Sequence, residues 1–279
     1  MSTASIVFFD CATAAFSLAS IFINSFTVIN IVYRKKANKR QYEMLLSLIV
    51  FHMIFNLSSV FYSTFKTLNS QVTVTLWSQT FMRAASVAIV CGNTCVVVDR
   101  LLAINQPVVY GQRHKKRWLT FSFCFLVTVF SLCFGAYVYA VNKKIVDYIA
   151  TPIYILKCAA SAINVLITVE FLRKLRVFLR SRENFPDIVN LRTANQVVIY
   201  ETIAEIIINI IPTIVTTVLN EIYQQTITNT VGSYPNALFA LKTTVCALCL
   251  AVKLKSSNVV RITQSKDRKP RNCAGSVAK

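Results

Sequence analysis

The sequence predicts an all-α membrane protein, a bundle of seven helices that each cross the bilayer. The chain has 279 residues, of which 55% are hydrophobic and only 15% are charged, so it is too apolar for a soluble domain with a polar surface. Its apolar residues form seven separate runs, each close to the roughly 20 residues that cross the hydrocarbon core. None of the runs alternates as a membrane β-strand does, so each is predicted to be a helix.

The first three helices are predicted over residues 11–33, 44–65 and 76–104. The first run is uncharged and ends on a cluster of Lys and Arg. It lacks the basic start and the short apolar segment of a cleaved signal peptide, so we expect it to be retained as a spanning helix. The second run contains only two strongly polar residues, His52 and Asn56, and the third carries charged residues near both of its ends.

The last four helices are predicted over residues 118–141, 148–172, 196–219 and 236–252. The fourth is uncharged, the fifth contains Lys157, the sixth contains Pro212, and the seventh has Lys242 at its middle. No linker or internal repeat separates two domains. We therefore predict one transmembrane domain over residues 1–255, followed by a basic cytoplasmic tail over residues 256–279.

The positive charges predict the orientation of the bundle. Of the 30 Lys and Arg residues, 23 lie in the C-terminal tail or in the connections after the first, third and fifth helices. The opposite connections contain only Lys66, Lys143 and Lys144. Because cytoplasmic loops are enriched in Lys and Arg, we expect the N-terminus outside and the C-terminus in the cytoplasm. This orientation, together with attraction to anionic membrane lipid, accounts for the net charge of +19 without nucleic-acid binding.

The sequence does not predict an enzyme, a metal site or a cofactor. Its two histidines, His52 and His114, lie far apart in the predicted topology, and no nucleophile is accompanied by a base. Cys246 and Cys249 form a single C-x-x-C pair, without the second pair or the histidines of a metal site. Most of the nine cysteines fall within predicted helices, where a thiol packs well.

The end of the third helix carries the most informative segment, in which residues 99–110 read D-R-L-L-A-I-N-Q-P-V-V-Y. An acid beside an arginine is costly there unless it is paired or solvated. One interpretation is that Arg100 reaches the lipid head groups while Asp99 neutralises it. The string also resembles the D-R-Y-x-A-x-x-x-P-x-x-Y signature of rhodopsin-like G-protein-coupled receptors, with Leu101 in place of Tyr. Five positions match that signature: Asp99, Arg100, Ala103, Pro107 and Tyr110.

The resemblance implies a receptor that binds a small molecule within the bundle and activates a heterotrimeric G protein. Asp99 would hold Arg100 in the resting state, and Arg100 would be released towards the G protein as helix six swings outward. Pro107 would end helix three, and Tyr110 would lie in the following loop. Pro212 looks like the proline on which helix six pivots in this superfamily.

Several features of the broad family are missing. The third helix has no Cys at its outer start, helix two has no acidic residue, and helix seven lacks N-P-x-x-Y. With its short N-terminus and short second outer loop, the chain is similar to the nematode serpentine chemoreceptors, and the end of helix three looks closest to their more rhodopsin-like classes, such as class xa. This resemblance implies the plasma membrane, and a sensory cilium for a chemosensory receptor.

Ionisable residues within the helices are candidates for an intrabundle site. Glu201, Glu205 and Asn209 recur every four residues and therefore share one face of helix six. At about 1.5 Å per residue, Glu205 and Lys242 both lie near the membrane midplane and are able to pair, with Lys157 as the competing partner. Such a pair is either a salt bridge that stabilises helix packing or a lock that a charged ligand opens.

The alternative function is a seven-helix ligand-gated channel or a transporter. A channel of the insect odorant-receptor type has a cytoplasmic N-terminus, opposite to the charge bias of this chain. A transporter is expected to show paired broken helices, whereas only Pro152 and Pro212 interrupt helices here.

Overall fold

The protein is described by a computed structural model that covers residues 3–32, 36–68, 72–105, 115–180, 196, 198–215 and 234–267. Side chains of the last helix are described as far as Val252. Within these ranges every regular element is a helix and none is a strand, which confirms the predicted all-α fold.

Seven helices in the described part of the chain are long and apolar enough to cross a membrane, so this is a multi-pass membrane protein. The sixth contains a π-helical segment, Glu205–Ile210. The bounds of the helices are α1 Thr3–Val32, α2 Lys36–Thr67, α3 Val72–Asn105, α4 Lys115–Lys143, α5 Val146–Arg180, α6 Val198–Val215 and α7 Tyr234–Asp267.

The helices extend beyond the apolar runs from which they were predicted. α5 continues from the predicted end at residue 172 to Arg180, and α7 runs to Asp267, so the segment predicted as a tail begins within α7. Lys and Arg are good helix formers, so a helix continues through basic turns after its apolar run ends.

Helices that follow one another in the chain alternate in direction. Lys66 at the end of α2 pairs with Asp10 near the start of α1, which makes these two helices antiparallel. The ring of Phe9 in α1 contacts that of Tyr234 at the start of α7, so α1 and α7 run in parallel. Short connections, one of them turning at Lys144 with φ 59°, join α2 to α3 and α4 to α5. We call the side on which α1, α3, α5 and α7 begin the N-terminal side, and the opposite side the C-terminal side.

α3 is the central helix of the bundle. In its apolar stretch 67% of the residues are buried, against 17% in α4 and 22% in α1. Small residues along α3 permit close packing. At Gly92, for example, a Cβ atom would lie only 2.7 Å from Cδ1 of Leu48 in α2 and 3.5 Å from Cδ1 of Leu126 in α4. Glycine at this position therefore lets α2 and α4 approach α3 from two sides.

Large apolar side chains cover the outside of the bundle. Phe22, Leu132 and Leu166 are each about two thirds exposed or more, at 73%, 68% and 70%. A soluble protein rarely shows so much apolar surface, whereas lipid chains solvate it readily. The buried face of α1, in contrast to this apolar outer surface, is polar. It carries a row of polar residues at helical spacing: Asp10, Thr13, Ser17, Ser20, Asn24 and Thr27.

Asn56 in α2 connects this polar row to α7. Its amide nitrogen donates to Oγ of Ser20 in α1 at 2.9 Å, and its amide oxygen accepts from Oγ1 of Thr243 in α7 at 3.0 Å. All three side chains are buried. The hydrophobic effect does not drive helices together within lipid, so interhelical hydrogen bonds such as these supply part of the attraction.

Substituting Asn56 with Leu is expected to lower the free energy of unfolding by about 1 to 2 kcal/mol, because two interhelical hydrogen bonds are lost. Thermal unfolding of the purified protein in lipid nanodiscs measures the change. Leu57→Ala, which alters the adjacent side chain at the lipid surface, is the control and should have a smaller effect. Equal stability of the Asn56→Leu variant and the parent would contradict this role.

Candidate functional site

The carboxylate of Glu205 lies at the centre of a buried polar cluster that joins three helices. Its Oε2 accepts a hydrogen bond from the ammonium of Lys242 in α7 and forms an ion pair with it. Its Oε1 accepts from Oγ of Ser161 in α5 at 2.9 Å and from the amide nitrogen of Asn209 in α6 at 2.6 Å. The side chains of Glu205 and Lys242 are both 0% exposed. We call these four residues the Glu205 cluster.

The structure pairs Glu205 with Lys242 and places Lys157 elsewhere. Nζ of Lys157 lies 4.3 Å from the centroid of the Phe239 ring in α7, and Nζ of Lys242 lies 4.8 Å from the same centroid. Phe239 therefore contacts both cations, and the face of its ring attracts each of them. Among the residues that the structure describes, no carboxylate forms an ion pair with Lys157.

The Glu205 cluster coincides with a change in the backbone of α6. Over Glu205–Ile210 the helix has π geometry, and the N–H of Ile211 donates to the carbonyl oxygen of Ile206, five residues earlier. Pro212 follows directly and has no N–H to continue the ordinary α-helical pattern. π-helical turns occur often at functional sites. The sequence predicted a pivot at Pro212, and the structure places the irregular turn just before it.

Glu201 connects this region to the end of α3. It lies one turn before Glu205, is 6% exposed and interacts electrostatically with both Lys242 and Arg100. At the adjacent position, Oγ1 of Thr202 lies 3.2 Å from Oγ1 of Thr168, which joins α6 to α5. In the stripe predicted on helix six, Glu201 and Glu205 are therefore buried and Asn209 is half-buried.

Asp99 and Arg100 are both buried near the end of α3, on the C-terminal side. Nε of Arg100 lies 3.8 Å from Oδ2 of Asp99, which is an ion-pair distance and too long for a hydrogen bond. Pro107 and Tyr110, two more of the predicted switch residues, lie outside the described residues.

A cavity of about 440 Å³ lies on the N-terminal side, between α3, α5, α6 and α7. Its volume falls in the range of small-molecule sites. Arg83, Lys157, Asn209 and Phe239 are among its lining residues, and the described lining contains no acidic residue. We call it the cation cavity. It lies at the opposite end of α3 from Asp99 and Arg100.

A second cavity of about 530 Å³ lies between α5 and α6. It shares Lys157 and Asn209 with the cation cavity, and most of its other lining residues are apolar. Two of them, Leu166 and Ile214, are 70% and 56% exposed at the lipid-facing surface. We call it the lateral cavity, because it adjoins the hydrocarbon region rather than either aqueous side.

The sequence predictions omitted several residues that the structure brings to the site. Ser161 lies four residues after Lys157, and Phe239 lies three residues before Lys242. Helical spacing would have placed Ser161 on the same face as Lys157, and Phe239 on the same face as Lys242. Arg83 was visible as a cation within helix three, but spacing along one helix does not show which cavity it lines.

No protein-family model matches this chain, and a search of curated proteins finds no significant match. The fold defines the class to which the protein belongs, a multi-pass membrane protein built as a seven-helix bundle.

Proposed function

We propose that this protein is a G-protein-coupled receptor of the plasma membrane, a chemosensory receptor similar to the nematode serpentine chemoreceptors. The observation that supports this proposal most strongly is that α3, the central helix of the seven, connects a cavity to a buried ion pair. A cavity large enough for a small molecule lies at its start, and the Asp99 and Arg100 pair lies near its end. Between Ser86 in the cavity wall and Arg100, the helix rises about 21 Å.

Contacts and longer-range charge interactions between the two regions supply a route for activation. A ligand in the cation cavity reaches Asn209, which also donates to Glu205, and Glu205 pairs with Lys242. The charges of Lys242 and Arg100 both act on the carboxylate of Glu201. A ligand that favours a different position of Asn209 therefore changes the contacts of α6 with α5 and α7. Such a ligand shifts the equilibrium only by its difference in affinity for the two states.

The C-terminal side is the proposed contact surface for a heterotrimeric G protein. The basic connections that follow α1, α3 and α5 belong to this side by sequence, and they are also suited to anionic membrane lipid. On this proposal, movement of α6 away from α3 releases Arg100 towards the G protein. The chemosensory role further places the receptor in a sensory cilium.

Arg100→Ala is expected to abolish G-protein activation per receptor at the cell surface. On this proposal the guanidinium of Arg100 is the group that contacts the G protein, so signalling is normalised to the amount of surface protein. The measurement is a reporter of G-protein activation in cells exposed to a panel of small odorants.

Lys143→Ala, which changes an exposed cation on the opposite side of the bundle, serves as the control and should signal normally. An unchanged odorant response in the Arg100→Ala cells would rule out the assigned role of Arg100. An N-terminal tag, labelled on intact cells, separates the receptor from a channel with a cytoplasmic N-terminus. Labelling only after permeabilisation would contradict the proposed orientation.

A further inference from the structure

The cation cavity contains two positive charges and, among its described lining residues, no negative one. Arg83 and Lys157 supply the positive charges. Each cation lies over an aromatic ring, with the guanidinium carbon of Arg83 5.4 Å from the Tyr137 centroid and Nζ of Lys157 4.3 Å from the Phe239 centroid. Neither cation forms an ion pair with a carboxylate of the described chain.

Cations at this depth usually face a partner of opposite charge. Ionisable groups within membrane helices are costly, and they mark ligand or ion sites when the protein does not neutralise them. An aromatic ring attracts a cation but carries no net charge, so it compensates for only part of the lost hydration. A negative charge is therefore the missing component of this cavity.

Glu205, the carboxylate for which Lys157 was the competing partner in the sequence analysis, is already engaged. Glu205 interacts with Lys242 through one oxygen and accepts from Ser161 and Asn209 through the other. Pairing Glu205 with Lys157 would leave the buried ammonium of Lys242 without this carboxylate. In the Glu205 cluster one negative charge thus balances one positive charge. We therefore infer that the anion for Lys157 comes from outside the described chain.

The position and lining of the two cavities indicate that the anion also has an apolar body. Lys157 and Asn209 line both cavities, so a head group at Lys157 is adjacent to the lateral cavity. The wall of the lateral cavity is mainly apolar, with Val165, Leu166 and Ile206 among its residues. It accommodates a hydrocarbon body, and its lipid-facing position suits a molecule that partitions into the membrane.

We propose that the two cavities together bind an amphipathic organic anion, with its charged head at Lys157 and Arg83 and its apolar body in the lateral cavity between α5 and α6. A carboxylate and a sulfate head share the required chemistry. This inference rests on the proposed function for its consequence in signalling, because it names the class of ligand that the receptor takes.

The test uses purified full-length protein in nanodiscs of zwitterionic lipid, and probes that share one eight-carbon chain. Octanoate and octyl sulfate carry an anionic head, 1-octanol a neutral one and octylamine a cationic one. Thermal unfolding at increasing probe concentration reports binding without a G protein. We expect the two anions to raise the unfolding temperature in a saturable way, at concentrations about tenfold or more below those of the other probes.

Lys157→Gln should weaken octanoate binding about 10-fold to 100-fold, the range for losing a hydrogen bond to a charged group. Arg83→Gln should weaken it as well, and Lys143→Gln, an exposed control, should leave it unchanged. Lys157→Arg retains the charge and should retain the preference for anions over 1-octanol.

The comparison of the four probes uses the parent protein alone, so its outcome does not depend on whether a variant folds. Equal stabilisation by octanoate and 1-octanol, or stronger stabilisation by octylamine, would overturn the inference. So would octanoate binding that is the same in Lys157→Gln and the parent. Anion binding that depends on Lys157 in a protein that never activates a G protein would contradict the proposed function alone. Activation by neutral or cationic odorants, with no binding of anions, would contradict this inference alone.

Discussion

Replacing Lys242 with Met is expected to destabilise the bundle by about 3 to 5 kcal/mol, because it leaves a buried carboxylate without its counter-charge. Glu205 is 0% exposed, and the two remaining donors, Ser161 and Asn209, are neutral. Neutral hydrogen bonds stabilise an ionised carboxylate less than an ammonium does. Thermal unfolding in lipid nanodiscs measures the loss, and reduced recovery of folded protein is expected to accompany it.

A second substitution tests whether the loss comes from the stranded charge. In Glu205→Gln with Lys242→Met the Glu205 cluster keeps its volume approximately and contains no charge, so most of the lost stability should return. Lys143→Met removes an exposed lysine and provides the control for the loss of a positive charge. If the Lys242→Met variant alone were as stable as the parent, the ion pair would contribute no such stabilisation.

The same variants separate the two interpretations of the ion pair that the sequence left open. A lock that holds α6 against α7 predicts that Lys242→Met changes basal signalling, and that the double variant does so as well, because both lack the attraction between the helices. A purely structural salt bridge predicts a change in stability with basal signalling per folded receptor left as it was. Signalling normalised to surface protein distinguishes these outcomes.

Replacing Lys66 with Met is expected to lower the free energy of unfolding by about 1 to 3 kcal/mol, because the carboxylate of Asp10 is left buried. Asp10 is only 2% exposed, and Nζ of Lys66 lies 3.1 Å from its Oδ1 and 2.9 Å from its Oδ2. The effect should be smaller than at Lys242, since the side chain of Lys66 is 29% exposed and the pair lies nearer the end of its helices. Thermal unfolding under the same conditions measures it.

Asp10→Asn in the Lys66→Met background removes the stranded charge and should recover part of the loss. Lys143→Met again serves as the control, since this lysine lies on the same side of the bundle without contacting Asp10. A Lys66→Met variant that unfolds at the temperature of the parent would show that the pair of Lys66 and Asp10 does not stabilise the bundle.

The ends of the helices show where reasoning from apolar runs falls short. The predicted end of helix five, at residue 172, is the end of the apolar run, whereas α5 continues through Arg173 and Lys174 to Arg180. Hydropathy reports which residues lie in the hydrocarbon region, and backbone hydrogen bonding does not end at that boundary. The order, number and class of the helices followed from hydropathy, because a spanning helix needs a run of sufficient length.

Hydropathy and helical rise do not determine which lysine pairs with Glu205. The rise of the helix placed Glu205 and Lys242 at similar depths, but it also left Lys157 as a competitor. Depth along each axis does not determine how the helix is rotated or which helices are neighbours. Packing turns Lys242 towards Glu205 and Lys157 towards Phe239, and that choice leaves the cation cavity with an excess of positive charge.

The sequence by itself determined the all-α class, the seven spans and the shared face of Glu201, Glu205 and Asn209, since each depends on composition or spacing within a single helix. The tertiary structure decided the pairing of Lys66 with Asp10 across 56 positions, the three-helix contacts of Glu205 and the two cavities beside Lys157. These features require the rotation and neighbours of each helix, which are set by the packing of side chains from several helices together.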